Sequence, residues 1–169
     1  IDHVDLIRNL VNEFSAFARF PTANPEPNEL QPIVEETLAL YREGHHNIKF
    51  ELEVTEPLPR LKLDRQQIKR AMINLVDNSI AAIKGTGTIT IALSHHAATK
   101  KVIVEIADNG AGISDSDKTR LFEPNFSTKK SGMGLGLTIV RTIVNGHNGM
   151  IKVQDNHPRG AKFIILLPV

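Results

Sequence analysis

Apolar and polar positions along this chain repeat with two different periods, and the switches between them divide it into elements. Within residues 2–20 the apolar side chains are Val4, Ile7, Leu10, Val11, Phe14, Phe17 and Ala18. Steps of three and four place them on one stripe of a helix, with Asp5, Arg8, Asn12 and Arg19 mostly off it. A lone helix of this length is marginal in water, so the stripe calls for a cover. Pro21, Pro25 and Pro27 then break the pattern. A second helix is predicted over residues 31–42, with Pro32 tolerated in its first turn and Gly44 ending it. Ile48, Phe50, Leu52 and Val54 alternate with Lys49, Glu51 and Glu53, the period of a half-buried strand. Asp64 followed by Gln67 resembles a capping box, opening a long helix that runs to about Ile83. Strands are predicted at 88–94 and 101–107, and a short helix at 114–121. Residues 123–133 have no clean period and read as a loop. A helix over 135–145 starts directly out of glycines, and strands at 149–153 and 160–167 follow. The sum is an α/β fold: a two-layer sandwich with one mixed, mostly antiparallel sheet covered by helices on one face.

Composition narrows the class. At 169 residues the chain suits one domain with a full core and a short appendage. Its 41% apolar and 23% charged content is that of a soluble globular protein. A net charge of +1 gives no reason to expect nucleic acid or an anionic membrane as partner. No apolar run approaches the ~20 residues of a membrane span, and no signal peptide is visible. Cysteine is absent, which excludes disulfides and thiolate metal sites and fits a reducing compartment. A start at Ile1 rather than Met reads as a fragment or a processed chain.

Four short motifs carry the candidate chemistry. Asn74 and Asn78 lie four apart on the long helix, hence on one face. Their amide oxygens suit Mg²⁺, which keeps several waters and takes its other ligands from phosphates and one or two protein groups. Two asparagines on a helix are equally ordinary polar surface. Val102, Val104 and Ile106 alternate up to Asp108, where Asn109, Gly110, Ala111 and Gly112 follow. Those glycines permit a sharp turn and a close backbone approach to a flat ligand. A carboxylate there can accept from an exocyclic amine, selecting adenine over guanine, though Asp-Asn-Gly is also a common turn. Phe122-Glu123-Pro124-Asn125-Phe126 opens the aperiodic stretch. Gly132-Met133-Gly134-Leu135-Gly136-Leu137 opens a helix, whose unpaired N–H groups and dipole make an anion site. A dinucleotide fingerprint would follow a strand, and a Walker loop would end in Gly-Lys-Ser/Thr; neither holds here. Lys129, Lys130 and Ser131 form a short charged run that could simply be solvated.

In this order the four motifs resemble the N, G1, F and G2 boxes of the ATP-binding domain of sensor histidine kinases, over roughly residues 30–168. The resemblance implies a Bergerat fold of the gyrase, chaperone and mismatch-repair superfamily, with ATP and Mg²⁺ as cofactors. It assigns the metal contact to Asn78, with Asn74 beside it near the phosphates, and the adenine amine to Asp108. It makes Gly110, Gly112, Gly132, Gly134, Leu135, Gly136 and Leu137 part of the nucleotide site. It makes 123–133 a lid pinned by Phe122 and Phe126, with Lys129 reaching the terminal phosphates. Asn125 stands where that family usually has an apolar or aromatic residue.

Fold alone leaves three functions open: a histidine kinase, an ATP-gated conformational ATPase, and a nucleotide binder without catalysis. The ATPases of the superfamily carry a glutamate, acting as general base, four residues before the metal-binding asparagine. Here that residue is Asn74, and an amide cannot take the proton, which favours phosphoryl transfer to another acceptor. Asn74, Asn78 and Lys129 are then the catalytic candidates. The resemblance places the acceptor histidine on a dimerisation hairpin whose second helix residues 1–20 continue. Residues 21–29 would be a linker and 30–169 the catalytic domain. The Glu13–Pro21 ending is similar to the nitrogen-regulation sensor subgroup. His3 is followed by Val4 and Asp5, not directly by an acidic residue, so it does not match the acceptor. The isolated chain is expected to bind ATP or ADP without labelling itself. Its expected partners are the histidine-bearing hairpin of a homodimeric parent and a response-regulator receiver domain, not nucleic acid. The implied location is the cytoplasm, with the parent free or anchored in the inner membrane. The pairs His45-His46 and His95-His96 point to opposite faces and are not expected to bind metal; His147 and His157 fall at element ends.

Overall fold

The computed structural model describes residues 3–124, 126 and 134–169, with the backbone alone for Ala16 and Phe17. Among the described residues five α-helices, α1 (His3–Ala18), α2 (Leu30–Arg42), α3 (Arg65–Ala82), α4 (Asp115–Lys118) and α5 (Gly136–Gly146), accompany seven strands. These are β1 (Glu26–Asn28), β2 (Ile48–Val54), β3 (Leu61–Leu63), β4 (Gly87–His96), β5 (Lys101–Asp108), β6 (Met150–Asp155) and β7 (Ala161–Pro168). The main sheet runs β2-β4-β5-β7-β6. Only β2 and β4 pair in parallel; every other pair in the sheet is antiparallel. A parallel pair needs a long crossover, and the segment carrying α3 supplies it.

Alternation sets the two faces. Ile89, Ile91 and Leu93 of β4, Val102, Val104 and Ile106 of β5, and Phe163, Ile165 and Leu167 of β7 are all buried. They meet the apolar stripes of α2, α3 and α5, including Ile33, Leu75 and Ile143. The intervening residues of the strands form the other face, where Lys162 pairs with Glu105 at 3.2 Å. Because the period is two, the side that takes Ile106 also takes Asp108, which is therefore turned inward at the end of β5.

The predicted sandwich is observed, with differences that have local causes. A second, two-stranded sheet joins β1 to β3. Neither strand was expected, since each is three residues long and β1 contains Pro27. Asp64 caps α3 by accepting from Gln67 N at 3.1 Å. The reciprocal half of the predicted capping box is absent: Gln67 Nε2 donates to Pro21 O, and Asp64 N donates to His147 Nε2. The helix expected over 114–121 is one turn, α4, capped by Ser114 Oγ and followed by turns. The stripe on α1 is uncovered, with Val4, Ile7, Val11 and Phe14 more than half exposed. No described helix is long and apolar enough to cross a membrane.

Candidate functional site

One cleft of about 500 Å³ opens beside α3 and draws on α3, β5, α5 and the loops between them. Its α3 wall is built by helical spacing. Leu75 and Val76 face the core with no exposure, and Asn74, Asp77 and Asn78 line the cleft. Asp77 accepts from the Tyr41 hydroxyl at 2.8 Å, tying α2 to this wall. Burial first, and the adjacent Asp77 second, push the Tyr41 pKa up, so it stays a donor. The first turn of α5 sits against Asn74: a Cβ on Gly136 would lie 3.6 Å from Asn74 Oδ1. Among the described residues no side chain caps α5 at Leu135, and the leading N–H groups of a helix have no partner within it. Leu135 and Leu137 line the cleft there as well.

Asp108 also lines the cleft and is 2% exposed. Its Oδ1 accepts from Gly110 N at 2.9 Å and Ala161 N at 3.3 Å. Burial raises its pKa, and these donors, with Ser79 beside them, lower it without cancelling the rise. The β6–β7 loop braces this corner. Asn156 Nδ2 donates to Asp108 O at 2.8 Å, and Arg159 Nε donates to Gly110 O at 3.1 Å. Gly160, at φ +101°, passes so close that a Cβ would lie 1.9 Å from Asp108 O.

The predicted site residues divide into those gathered at the cleft and those elsewhere. Asn74, Asn78, Asp108, Gly112, Phe126, Gly134, Leu135, Gly136 and Leu137 all line it. Gly110 does not: it is buried under α3, where a Cβ would lie 2.4 Å from Ala82 O. Its lack of a side chain serves helix packing. Phe122 also stands back from the cleft; its carbonyl accepts from Thr138 Oγ1 at 3.1 Å, fastening the start of the loop to α5. The Phe126 ring lies under the Arg120 guanidinium at 4.6 Å. Lys129 and Gly132 lie outside the described residues, as do Asn125, Lys130 and Ser131. Sequence reasoning missed Ser79, Asn156 and Arg159, which act from behind the lining, and Glu13 of α1, which reaches the cleft. No spacing marks them, because their role comes from segments brought together by the sheet. Among the described residues no cluster of three or more His, Asp or Glu could hold a metal by itself.

This geometry has close counterparts. The profile of the family described as Histidine kinase-, DNA gyrase B-, and HSP90-like ATPase matches residues 63–169. The nitrogen regulation protein NtrY of Azorhizobium caulinodans is 33% identical over 92% of this chain, which spans 21% of NtrY's length. The nucleotide-free catalytic domain of histidine kinase ThkA superposes with a TM-score of 0.78 at 34% identity, over 86% of this chain and 95% of that one. ThkA in complex with the response regulator protein TrrA matches at 29% identity and TM-score 0.82, over 98% of this chain and 48% of that one. The chain thus spans about a fifth of NtrY and about half of the longer ThkA chain. It belongs to the histidine kinase-, DNA gyrase B- and HSP90-like ATPase family, as the ATPase domain of a two-component sensor kinase.

Proposed function

We propose that this domain binds Mg·ATP and passes the γ-phosphoryl group to a histidine on the dimerisation hairpin of its parent, for relay to a response regulator. The observation that carries this reading is that one cleft is lined by Asp108, Asn74, Asn78 and the start of α5, whose N-cap has no side-chain hydrogen bond among the described residues. Asp108 accepts from the adenine amine. Asn78 is the metal contact, and the backbone of 134–137 holds the phosphates through N–H groups at a helix start. Lys129 is assigned to the terminal phosphates. Gly112, Phe126, Leu135 and Leu137 shape the walls, Gly110 and Phe122 support them, and Gly132 belongs to the phosphate loop.

The donor set suits Mg²⁺. Amide oxygens without a carboxylate cage fit an ion that takes most of its ligands from water and phosphate. When bound, the ion neutralises charge developing on the phosphate oxygens. Asn74 stands where a hydrolase needs a base, and its amide cannot deprotonate water. Neutral imidazole is already a nucleophile, so the site's task is position and charge stabilisation. Helix α1 is read as the tail of the second hairpin helix, 21–29 as the link, and 30–169 as the catalytic unit. We place the domain in the cytoplasm as part of a homodimeric parent, with ATP, ADP, the hairpin and a receiver domain as partners.

The test supplies γ-labelled ATP, Mg²⁺ and the parent's hairpin as a separate fragment. Acid-labile, base-stable label is expected on the hairpin, with Asn78→Ala abolishing it. Free phosphate with no labelled protein would move the assignment to a clamp ATPase.

A further inference from the structure

The hydroxyl of Ser79 is buried, the residue being 1% exposed, and it is the only buried side-chain N or O atom without a hydrogen-bond partner among the described residues. Its position on α3 is the residue after Asn78, but turned to the core side. It lies beside the Asp108 carboxylate, close enough to influence its ionisation without making a geometrically proper hydrogen bond. A buried hydroxyl left unsatisfied costs stability, so an alanine would be the cheaper residue here unless the hydroxyl has a use.

The lone pairs of Asp108 indicate the use. An ionised carboxylate offers about four acceptor positions. Oδ1 takes Gly110 N and Ala161 N, while no described group donates to Oδ2 with proper geometry. Oδ2 therefore has room for two donors, and a purine amine supplies one. We propose that Ser79 is a positioning residue for base recognition, its hydroxyl donating to Asp108 Oδ2 when the amine of the base binds there. This rests on the adenine-binding reading of the cleft. The added bond holds the carboxylate ionised in a buried corner and aims its remaining lone pair at the amine. It also places base recognition and metal binding on successive residues of one helix.

Other charges stand near the cleft: Asp77 of α3, Lys84 just after α3, Asp117 of α4, Glu13 of α1, and Arg159 behind Gly110. None of them is among the influences that set the ionisation of Asp108, which are burial and neutral donors. Its response to acid thus reports on those donors.

The experiment measures ATP affinity by calorimetry across the acid range for the wild type and Ser79→Ala, with melting of both proteins without nucleotide. The variant should fold at least as stably as the wild type, because an unsatisfied hydroxyl is gone. It should bind ATP about tenfold more weakly at neutral pH, the scale of one lost hydrogen bond to a charged group. Ionised Asp108 is the binding form, so affinity falls as pH drops through its pKa. Without the Ser79 donor that pKa is higher, and the acid limb should move to higher pH. Equal affinity at every pH, or a uniform loss with the acid limb unmoved, would overturn the role. A wild type that binds no ATP would instead overturn the nucleotide reading, and this role with it.

Discussion

Asp64, through its carboxylate and its backbone N–H together, joins three segments that are far apart in the chain. Its Oδ1 accepts from Gln67 N at the start of α3, and its Oδ2 accepts from Asn24 N at 3.0 Å. Its own N–H donates to His147 Nε2, and His147 Nδ1 donates to Ile143 O at 2.7 Å. Burial raises the Asp64 pKa, but the Asn24 and Gln67 N–H groups outweigh it, and the net shift is downward from the ordinary 3.8. A lowered folded-state pKa gives stability that is complete above the unfolded value and lost as pH falls through the folded one. Asp64→Ala should therefore cost about 1–2 kcal/mol at neutral pH, the value of a lost N-cap. In urea unfolding the gap to wild type should close as pH falls below 3.8. A gap that persists in acid would show that the cost comes from packing instead. Of these contacts only the Asp64–Gln67 half was legible in the sequence, because i to i+3 capping is local. The His147 contact joins residues 83 apart and has no local signal.

Between elements, close approach replaces capping as the deciding term. The turn after β5 tucks under the end of α3, where Ala111 N donates to Ala82 O at 2.9 Å. Gly110 fits there only because it has no Cβ. The obstacle is helix backbone rather than a flexible side-chain tip, so Gly110→Ala must separate α3 from β5. We expect a loss of about 1–3 kcal/mol, the usual penalty of overpacking. Nucleotide affinity should fall too, because Gly110 N anchors Asp108. Thermal melting and an ATP titration check both, and a variant with wild-type melting would refute this packing role. The sequence pointed correctly to a glycine requirement here but assigned it to the ligand. The neighbour that makes it necessary is 28 residues away on another element, which composition cannot reveal.

For the whole molecule, α1 stands apart from the core. Every described side chain of α1 except Leu10 is exposed, and its stripe of Val4, Ile7, Val11 and Phe14 faces outward. The fixed body begins where Gln67 Nε2 holds Pro21 O and the Arg70 guanidinium covers the Phe20 ring at 5.3 Å. Removing residues 1–18 should leave the melting temperature within about 2 °C, since unburied apolar surface contributes little to folding. Light scattering should show less self-association, because an exposed apolar stripe seeks a cover. A large drop in melting temperature would mean that α1 packs on the domain in solution. The amino-acid sequence by itself determined the periodic elements, the inward aim of Asp108, the shared face of Asn74 and Asn78 and the glycines at the start of α5. Each follows from spacing along one helix or strand. The tertiary structure alone decided the β2–β4 parallel pairing and the β1–β3 ribbon. It also decided the brace from Asn156 and Arg159, and the burial of Ser79 beside Asp108. Those contacts depend on which segments the packed core brings together, and no local period encodes that.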